Sequence, residues 1–420
     1  MNEYLNEKIF IFPEAKIIFK HKKIPLKLRT TFGTSHSSTT TRFNSFIQIL
    51  VENYKNYNKI YGLGESGLPP KKPNVYLADS NDIKNYINIY FIKLEELIKL
   101  NFSEKIKCKY FNLNNIPQFI HTMFYALDNN PANKEEYSNC AKNCIESALL
   151  DLCSKIENKP LYEFINLDPS NKKIHAFYTV SICDDSETLS SLEFGLKYTN
   201  YIKIKLNNDY NRNEHVMNLI YNYCKNIKNY KGKWSIDLNS DFEDVNLCIK
   251  LVNEILLKYK EIIYMIEQPF PANIKDYKNI NEWEKLKILC EKNNILIFAD
   301  ESISNYNSIE PLKNIISGIN IKLEKCGGIR GALKCIKKAK ELNLTIWIGC
   351  MVGSTLLMNL ASSIIPFSIY SDLDGGLLVD DVSNPFSGGF VWDVNKGIIL
   401  SNDYGTGVNV KEGFLKDYII

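Results

Sequence analysis

From His175 onward the chain alternates short apolar runs with amphipathic helical stretches, and few folds accept that rhythm. The runs are Ala176–Ile182, Tyr201–Leu206, Trp234–Leu238, Ile262–Ile266, Ile295–Ala299, Gly318–Leu323, Leu344–Ile348 and Ile369–Leu373. Each is too short for a helix and rich in β-branched and aromatic residues, so each reads as a strand. Eight strands joined by seven helical crossovers is the count of a βα barrel. In such a barrel, functional residues collect at the C-terminal ends of the strands, where the loops converge.

The preceding part has another pattern. Strand-like segments at Ala15–Phe19 and Phe46–Val51 flank a polar loop, Thr30–Ser38, and Tyr61-Gly62-Leu63-Gly64-Glu65 reads as the turn closing a hairpin. From about Asp79 to Ile165 the chain reads as helices. The best runs from Lys134 to Ile156, with Ala141, Ile145, Ala148, Leu149 and Leu152 on one face. Strands followed by helices indicate an α+β domain. The expected organisation is α/β: an α+β capping domain at 1–172, a modified (β/α)7β TIM barrel at 173–380, and a tail at 381–420 that returns to the cap. Asn207–Asn213 is expected to be a surface loop.

Composition excludes several classes. The 420 residues carry a net charge of only +3 and no concentrated basic patch, so nothing calls for nucleic acid. No long apolar stretch lacks charges, so no transmembrane helix and no membrane partner are expected. The N-terminus does not look like a signal peptide. The 11 cysteines are scattered without paired zinc spacing, and Cys140 and Cys144 fit packing on one helix. They read as reduced thiols in a cytoplasmic protein.

Three consecutive barrel strands each end in one carboxylate: Asp237 in WSIDLN, Glu267 in YMIEQP and Asp300 in IFADES. An all-oxygen donor set without His or Cys suits a hard cation, and Mg²⁺ fits best because it leaves positions for water or substrate. Lys203 and Lys205 lie two apart on strand two, so both side chains point the same way as Tyr201. The opposite face, Ile202, Ile204 and Leu206, is apolar and suits the helix-covered outside, which turns the lysines inward. A second cation beside Lys205 is expected to lower its pKa toward that of a usable base. Lys322, on strand six, lies across the barrel. Two lysines on opposite faces of one carbon can each remove or return a proton, while a metal holds the substrate carboxylate and stabilises the enolate.

Together, Lys203-x-Lys205, Asp237 with Asn239, Glu267-Gln268-Pro269, Ala299-Asp300-Glu301-Ser302, and Asn320-Ile321-Lys322 followed by Cys326-Gly327-Gly328 resemble the enolase superfamily, specifically its muconate-lactonising subgroup. Gly62-Leu63-Gly64-Glu65 resembles part of that superfamily's capping domain, so the resemblance spans nearly the whole chain. It implies Lys205 and Lys322 as the acid/base pair, and Asp237, Glu267 and Asp300 as ligands of one Mg²⁺ per subunit. It also implies a homo-oligomer.

Within the subgroup, Ser371-Asp372-Leu373-Asp374 on strand eight looks like the D-x-D of the dipeptide epimerases, in which the acids hold a substrate ammonium. Two inward carboxylates need a cationic partner, and an ammonium would serve. Thr179, Cys350 and Met351 match substrate-contacting positions of that family, and Lys203 joins them as a substrate contact. The resemblance therefore implies a small-molecule dipeptide substrate, epimerised at the C-terminal residue. The runner-up is another member of the subgroup: an o-succinylbenzoate synthase, N-succinyl amino acid racemase or cycloisomerase. A mandelate-racemase type is disfavoured, because its strand-seven histidine has no counterpart: His21, His36, His121, His175 and His215 all lie earlier. A non-catalytic scaffold would need none of these buried charges. One departure is Gly353, where many relatives carry a glutamate. Arg29, near the Thr30–Ser38 loop, is a candidate for binding a substrate carboxylate or a plain surface residue.

Overall fold

Four antiparallel strands open the chain: β1 (Tyr4–Phe12), β2 (Ala15–Gly33), β3 (Ser38–Tyr54) and β4 (Tyr57–Ser66), paired in that order. The computed structural model describes residues 4–34, 37–72, 76–135, 137–168, 174–272, 280–394 and 397–414. Strands β2 and β3 run much farther than expected and take in much of the predicted polar loop; Phe32 pairs with Thr39 and Gly33 with Ser38. Alternation explains the extension, since Ile24 and Leu26 are buried while Lys23, Pro25 and Lys27 face out. Of the loop, Ser35 and His36 lie outside the described residues.

Tyr61–Glu65 is not a turn but the middle of β4, paired with Phe46–Leu50 of β3. Its glycines serve close approach. A Cβ on Gly62 would lie 2.0 Å from the Ala148 carbonyl oxygen, and one on Gly64 2.1 Å from that of Cys144. Both carbonyls belong to the helix that covers the sheet.

The helices are α1 (Ser80–Lys99), α2 (Gln118–Asp128), α3 (Ser138–Ile156) and the short α4 (Leu161–Phe164). The predicted start at Lys134 is corrected to Ser138, because Asn130 caps a separate 3₁₀ turn at Pro131–Lys134. Ala141, Cys144, Ile145, Ala148, Leu149 and Leu152 of α3 are fully buried, and every cysteine is free.

The barrel follows. Its first strand is interrupted at Phe177 into β5 (His175–Ala176) and β6 (Tyr178–Val180). Then come α5 (Asp185–Gly195), β7 (Ile202–Lys205), α6 (Tyr210–Lys225), β8 (Trp234–Asp237), α7 (Val245–Glu254), β9 (Ile263–Glu267), α8 (Ile280–Glu291) and β10 (Leu296–Ala299). The remainder is β11 (Gly318–Ile321), α9 (Leu323–Cys326), α10 (Ile329–Glu341), β12 (Thr345–Gly349), α11 (Thr355–Ser362), β13 (Tyr370–Asp372) and α12 (Gly375–Leu378). All neighbours are parallel, and the ring closes because β5 pairs with β13 while β6 pairs with β7. One expected crossover helix is missing: between β10 and β11 the chain makes only two 3₁₀ turns, Tyr306–Ser308 and Glu310–Leu312. The expected loop at Asn207–Asn213 is shorter, since Asp209 caps α6 by accepting from the Arg212 N–H.

After α12 the chain forms β14 (Phe386–Gly388), β15 (Val391–Asp393), β16 (Gly397–Ile399) and β17 (Val408–Val410), paired β14–β17 and β15–β16. The Leu161 N–H donates to the Gly405 carbonyl at 2.7 Å, and the Thr406 N–H to Asp151 at 2.8 Å. Phe386 packs 5.5 Å from Phe46. No helix among the described residues is long and apolar enough to cross a membrane.

The barrel interior is layered. Phe177, Met265, Phe298 and Trp347 form a buried plug, with Tyr201, Tyr264, Leu296 and Tyr370 against it. Two residues farther along these strands stand Thr179, Glu267, Asp300, Gly349, Lys203 and Asp372. The strand period of two therefore sets a polar layer directly on an aromatic floor.

Candidate active site

The polar layer brings together all the lysines and carboxylates singled out from sequence. Asp237 and Glu267 are register partners on β8 and β9. Asp300 follows β10, Lys322 follows β11, and Asp372 ends β13. Asp237 and Glu267 are completely buried, and Asp300, Lys203 and Asp372 nearly so.

Lys203 sits at the centre. Its Nζ lies 2.7 Å from Glu267 Oε2, 2.8 Å from Asp372 Oδ2 and 3.2 Å from Asp237 Oδ2. Burial alone would lower its pKa, but Asp372, Glu267 and Asp237 outweigh that and hold it well above the usual lysine value. Lys205 Nζ donates to the same Asp237 Oδ2 at 2.6 Å and to Asn239 Oδ1 at 3.0 Å. The expected direct repulsion between the two lysines is thus corrected: a shared carboxylate oxygen stands between them and screens it. Lys322 Nζ donates to Asp300 Oδ2 at 2.7 Å, and Asp300 together with Tyr76 outweighs burial to raise its pKa as well.

The carboxylates are pulled in opposite directions. Burial opposes ionisation of Asp237, yet Lys205 and Lys203 bring it down to about 2. Asp300 is held lower still by Lys322 and Lys325. Glu267 is pushed up to about 8, first by burial, with Lys203 opposing and Asp237 and Asp300 adding to the rise. Asp374 is pushed up to about 6 by burial and by Asp372.

Asp237, Glu267, Asp300, Glu301, Asp372 and Asp374 are six carboxyl groups facing four lysines: Lys203, Lys205, Lys322 and Lys325. The donors are hard oxygens, which suit a hard divalent cation. Among the described residues no three acidic groups already converge as a cage, because lysine ammoniums bridge their facing oxygens. The donor set fits a hard cation, and seating one means displacing Lys203 from the carboxylates it now holds.

The acids of strand eight differ from expectation. Asp372 already has protein partners, with Lys203 on Oδ2 and the Trp347 Nε1–H on Oδ1 at 2.7 Å. Asp374 lies beyond the end of β13 and precedes α12; its Oδ2 accepts the Thr179 N–H at 2.5 Å. Both still line one cavity, together with Thr179, Lys203, Lys205, Lys322, Cys350 and Met351.

Three positioning residues are given no role in the sequence reading, although Gln268 and Asn320 stand in its motifs and only Lys325 is passed over. Lys325 reaches back from α9 to the Asp300 carboxylate and to the Asn320 carbonyl at 3.0 Å. Asn320 Nδ2 donates to Glu267 Oε1 at 2.7 Å. Gln268 Oε1 accepts the N–H groups of Asp300 and Ser302 at 2.9 and 3.2 Å, fixing the end of β10. Lys322-x-x-Lys325 spacing was the available signal, one helical turn apart.

Gly353 lies in a loop held by Asn44, which donates to the Val352 carbonyl, and by buried Glu65, which accepts from the Ser354 N–H at 3.1 Å. A Cβ at Gly353 would meet Leu357 Cδ2 at 2.3 Å, so Leu357 takes the space of the missing side chain. Arg29 is tied elsewhere, to the Leu377 carbonyl at 2.9 Å and to Asp381 at 2.7 Å, and does not line the cavity.

Glu324 is buried beside a neighbouring cavity and accepts the Gly67 N–H at 3.2 Å. Burial pushes its carboxyl up to about 7. An acid harder to ionise folded than unfolded costs stability as pH rises from its ordinary 4.5 through 7. Glu324→Gln is therefore expected to stabilise the protein by about 3 kcal/mol at pH 8 and by nothing below about pH 4.5. Urea unfolding at the two pH values checks this; an equal effect at both would contradict it.

Comparison with known proteins agrees with the fold. Residues 199–413 match the family model described as enolase C-terminal domain-like. An enolase superfamily member of Dictyostelium discoideum is 37% identical over 94% of this chain and 99% of its own length. The L-Ala-D/L-Glu epimerase of Bacteroides thetaiotaomicron is 28% identical over 91% of this chain and 85% of its own. The solved dipeptide epimerase from Cytophaga hutchinsonii, complexed with Mg and the dipeptide D-Ala-L-Val, superposes with a TM-score of 0.69 at 22% identity, covering 95% of this chain and 96% of that one. The chain belongs to the enolase superfamily. Its homologues include epimerases and racemases, which are isomerases.

Proposed function

We propose that this protein is a Mg²⁺-dependent dipeptide epimerase that inverts the α-carbon of the C-terminal residue by proton transfer between two lysines. The observation that carries the reading is the pair of lysines, Lys205 and Lys322, borne on β7 and just after β11 and both lining one cavity with a carboxylate cluster between them. Lys205 exchanges the proton on one face of the α-carbon and Lys322 on the other. Asp237, Glu267 and Asp300 would hold the cation, displacing Lys203 toward the substrate carboxylate. Bound there, the cation would draw carboxylate charge away from the lysines and take up negative charge developing on the substrate carboxylate. Asn239 orients Lys205 through its 3.0 Å contact.

The dipeptide assignment is supported by Asp374 and Asp372 at the cavity wall beside Thr179, Cys350 and Met351, and by the relatives and solved neighbour named above. When Lys203 turns to the substrate carboxylate, Asp372 loses its cation, and a substrate ammonium replaces it. The test compares a free dipeptide with its N-acetylated form. The free dipeptide is expected to turn over at least about 100-fold faster in kcat/KM. Equal rates, or preference for an N-acyl amino acid, would move the protein to the N-succinyl amino acid racemases.

A further inference from the structure

Of the four side chains that form the buried plug beneath the polar layer, only that of Trp347 carries an N–H. Trp347, on β12, is 1% exposed. Its ring centroid lies 4.7 Å from that of Phe177 and 6.1 Å from that of Phe298. An indole N–H buried among aromatic rings needs an acceptor. It finds one in the layer above, donating to Asp372 Oδ1 at 2.7 Å, the length of a charge-assisted bond.

Strand register explains how the indole reaches that oxygen. Trp347 pairs with Tyr370 of β13, and Gly349, two residues on, pairs with Asp372. Gly349 stands on the same face as Trp347, and a Cβ there would lie 2.8 Å from Asp372 Oδ1. The absent side chain keeps the space through which floor and carboxylate meet. A W-x-G on one strand thus faces a Y-x-D on the next.

The two oxygens of Asp372 are thereby divided. Oδ1 is fixed to the floor, while Oδ2 meets a cation, the Lys203 ammonium at 2.8 Å. If Lys203 turns to a substrate carboxylate, the indole still holds Oδ1. A donor locked by packing on one oxygen sets the plane of the carboxylate and keeps the other oxygen aimed. Trp347 itself does not line the cavity.

We infer that Trp347 is a positioning residue for substrate recognition: its indole N–H holds Asp372 so that Oδ2 receives the substrate ammonium. The inference rests on the dipeptide reading above and adds to it a residue that acts only through Asp372.

The test measures kcat/KM of the Mg²⁺-loaded protein for L-Ala-L-Glu and for N-propionyl-L-glutamate, the same molecule without its ammonium. Wild type is expected to favour the dipeptide. Trp347→Phe and Trp347→Met both remove the N–H but fill the floor differently. Each should lower the ratio of the two values by about 10-fold. The loss should come from a raised KM for the dipeptide, with its kcat nearly unchanged and N-propionyl-L-glutamate little affected. Melting temperatures report the packing separately: the two variants should differ in stability yet share the lowered ratio. A tryptophan that only packs would slow both substrates alike, so a ratio unchanged in both variants overturns the inference while leaving dipeptide epimerisation by wild type intact. Turnover of N-succinyl amino acids and of no dipeptide would overturn both.

Discussion

Lys322→Ala and Lys205→Ala are each expected to slow net epimerisation by about 10³-fold or more, yet to leave one half of the chemistry intact. A positioned general base contributes roughly 10²–10⁴-fold, and each variant loses a base on one face only. In D₂O each should still exchange the α-proton of one epimer, and the two variants should retain opposite epimers. The reason is geometric. The two ammoniums are held by different carboxylates, Lys205 by Asp237 and Lys322 by Asp300, so removing one leaves the other's anchor in place. Proton NMR of each purified epimer reads this directly. Variants that exchange both epimers, or the same epimer, would rule out a two-lysine mechanism.

Removing divalent cations with EDTA should abolish exchange, and Mg²⁺ should restore it. Without a cation, Lys203 bridges Glu267, Asp372 and Asp237, and Glu267 resists ionisation up to about pH 8. Asp300 outweighs burial and raises the pKa of Lys322, which leaves it a poor base. The loss is expected to reach at least about 10³-fold, with the fold unchanged by circular dichroism. Activity that survives thorough chelation would show that the carboxylates serve the lysines alone.

The barrel and its polar layer were legible because a strand repeats every two residues. Tyr201, Lys203 and Lys205 could be placed on one face, and Tyr201 does stand against the aromatic floor. What stayed hidden depends on neighbours distant in the chain. Lys325 reads as one more surface lysine until the α9 turn folds it onto Asp300. The Trp347 contact that occupies Asp372 joins adjacent strands across 25 residues. Thr30 to Gly33 looked like a loop because polar β-branched residues suit loops and strand ends alike. Gly62 and Gly64 looked like a turn because composition does not separate a glycine that bends from one that admits a helix.

The most direct measurement is α-proton exchange by wild-type protein with Mg²⁺ and L-Ala-L-Glu in D₂O, followed by proton NMR. The account predicts that the signal of the C-terminal α-proton disappears as the L,D epimer appears, with deuterium at that carbon in both epimers and none at the N-terminal α-carbon. Retention of the C-terminal α-proton across a panel of dipeptides would contradict it.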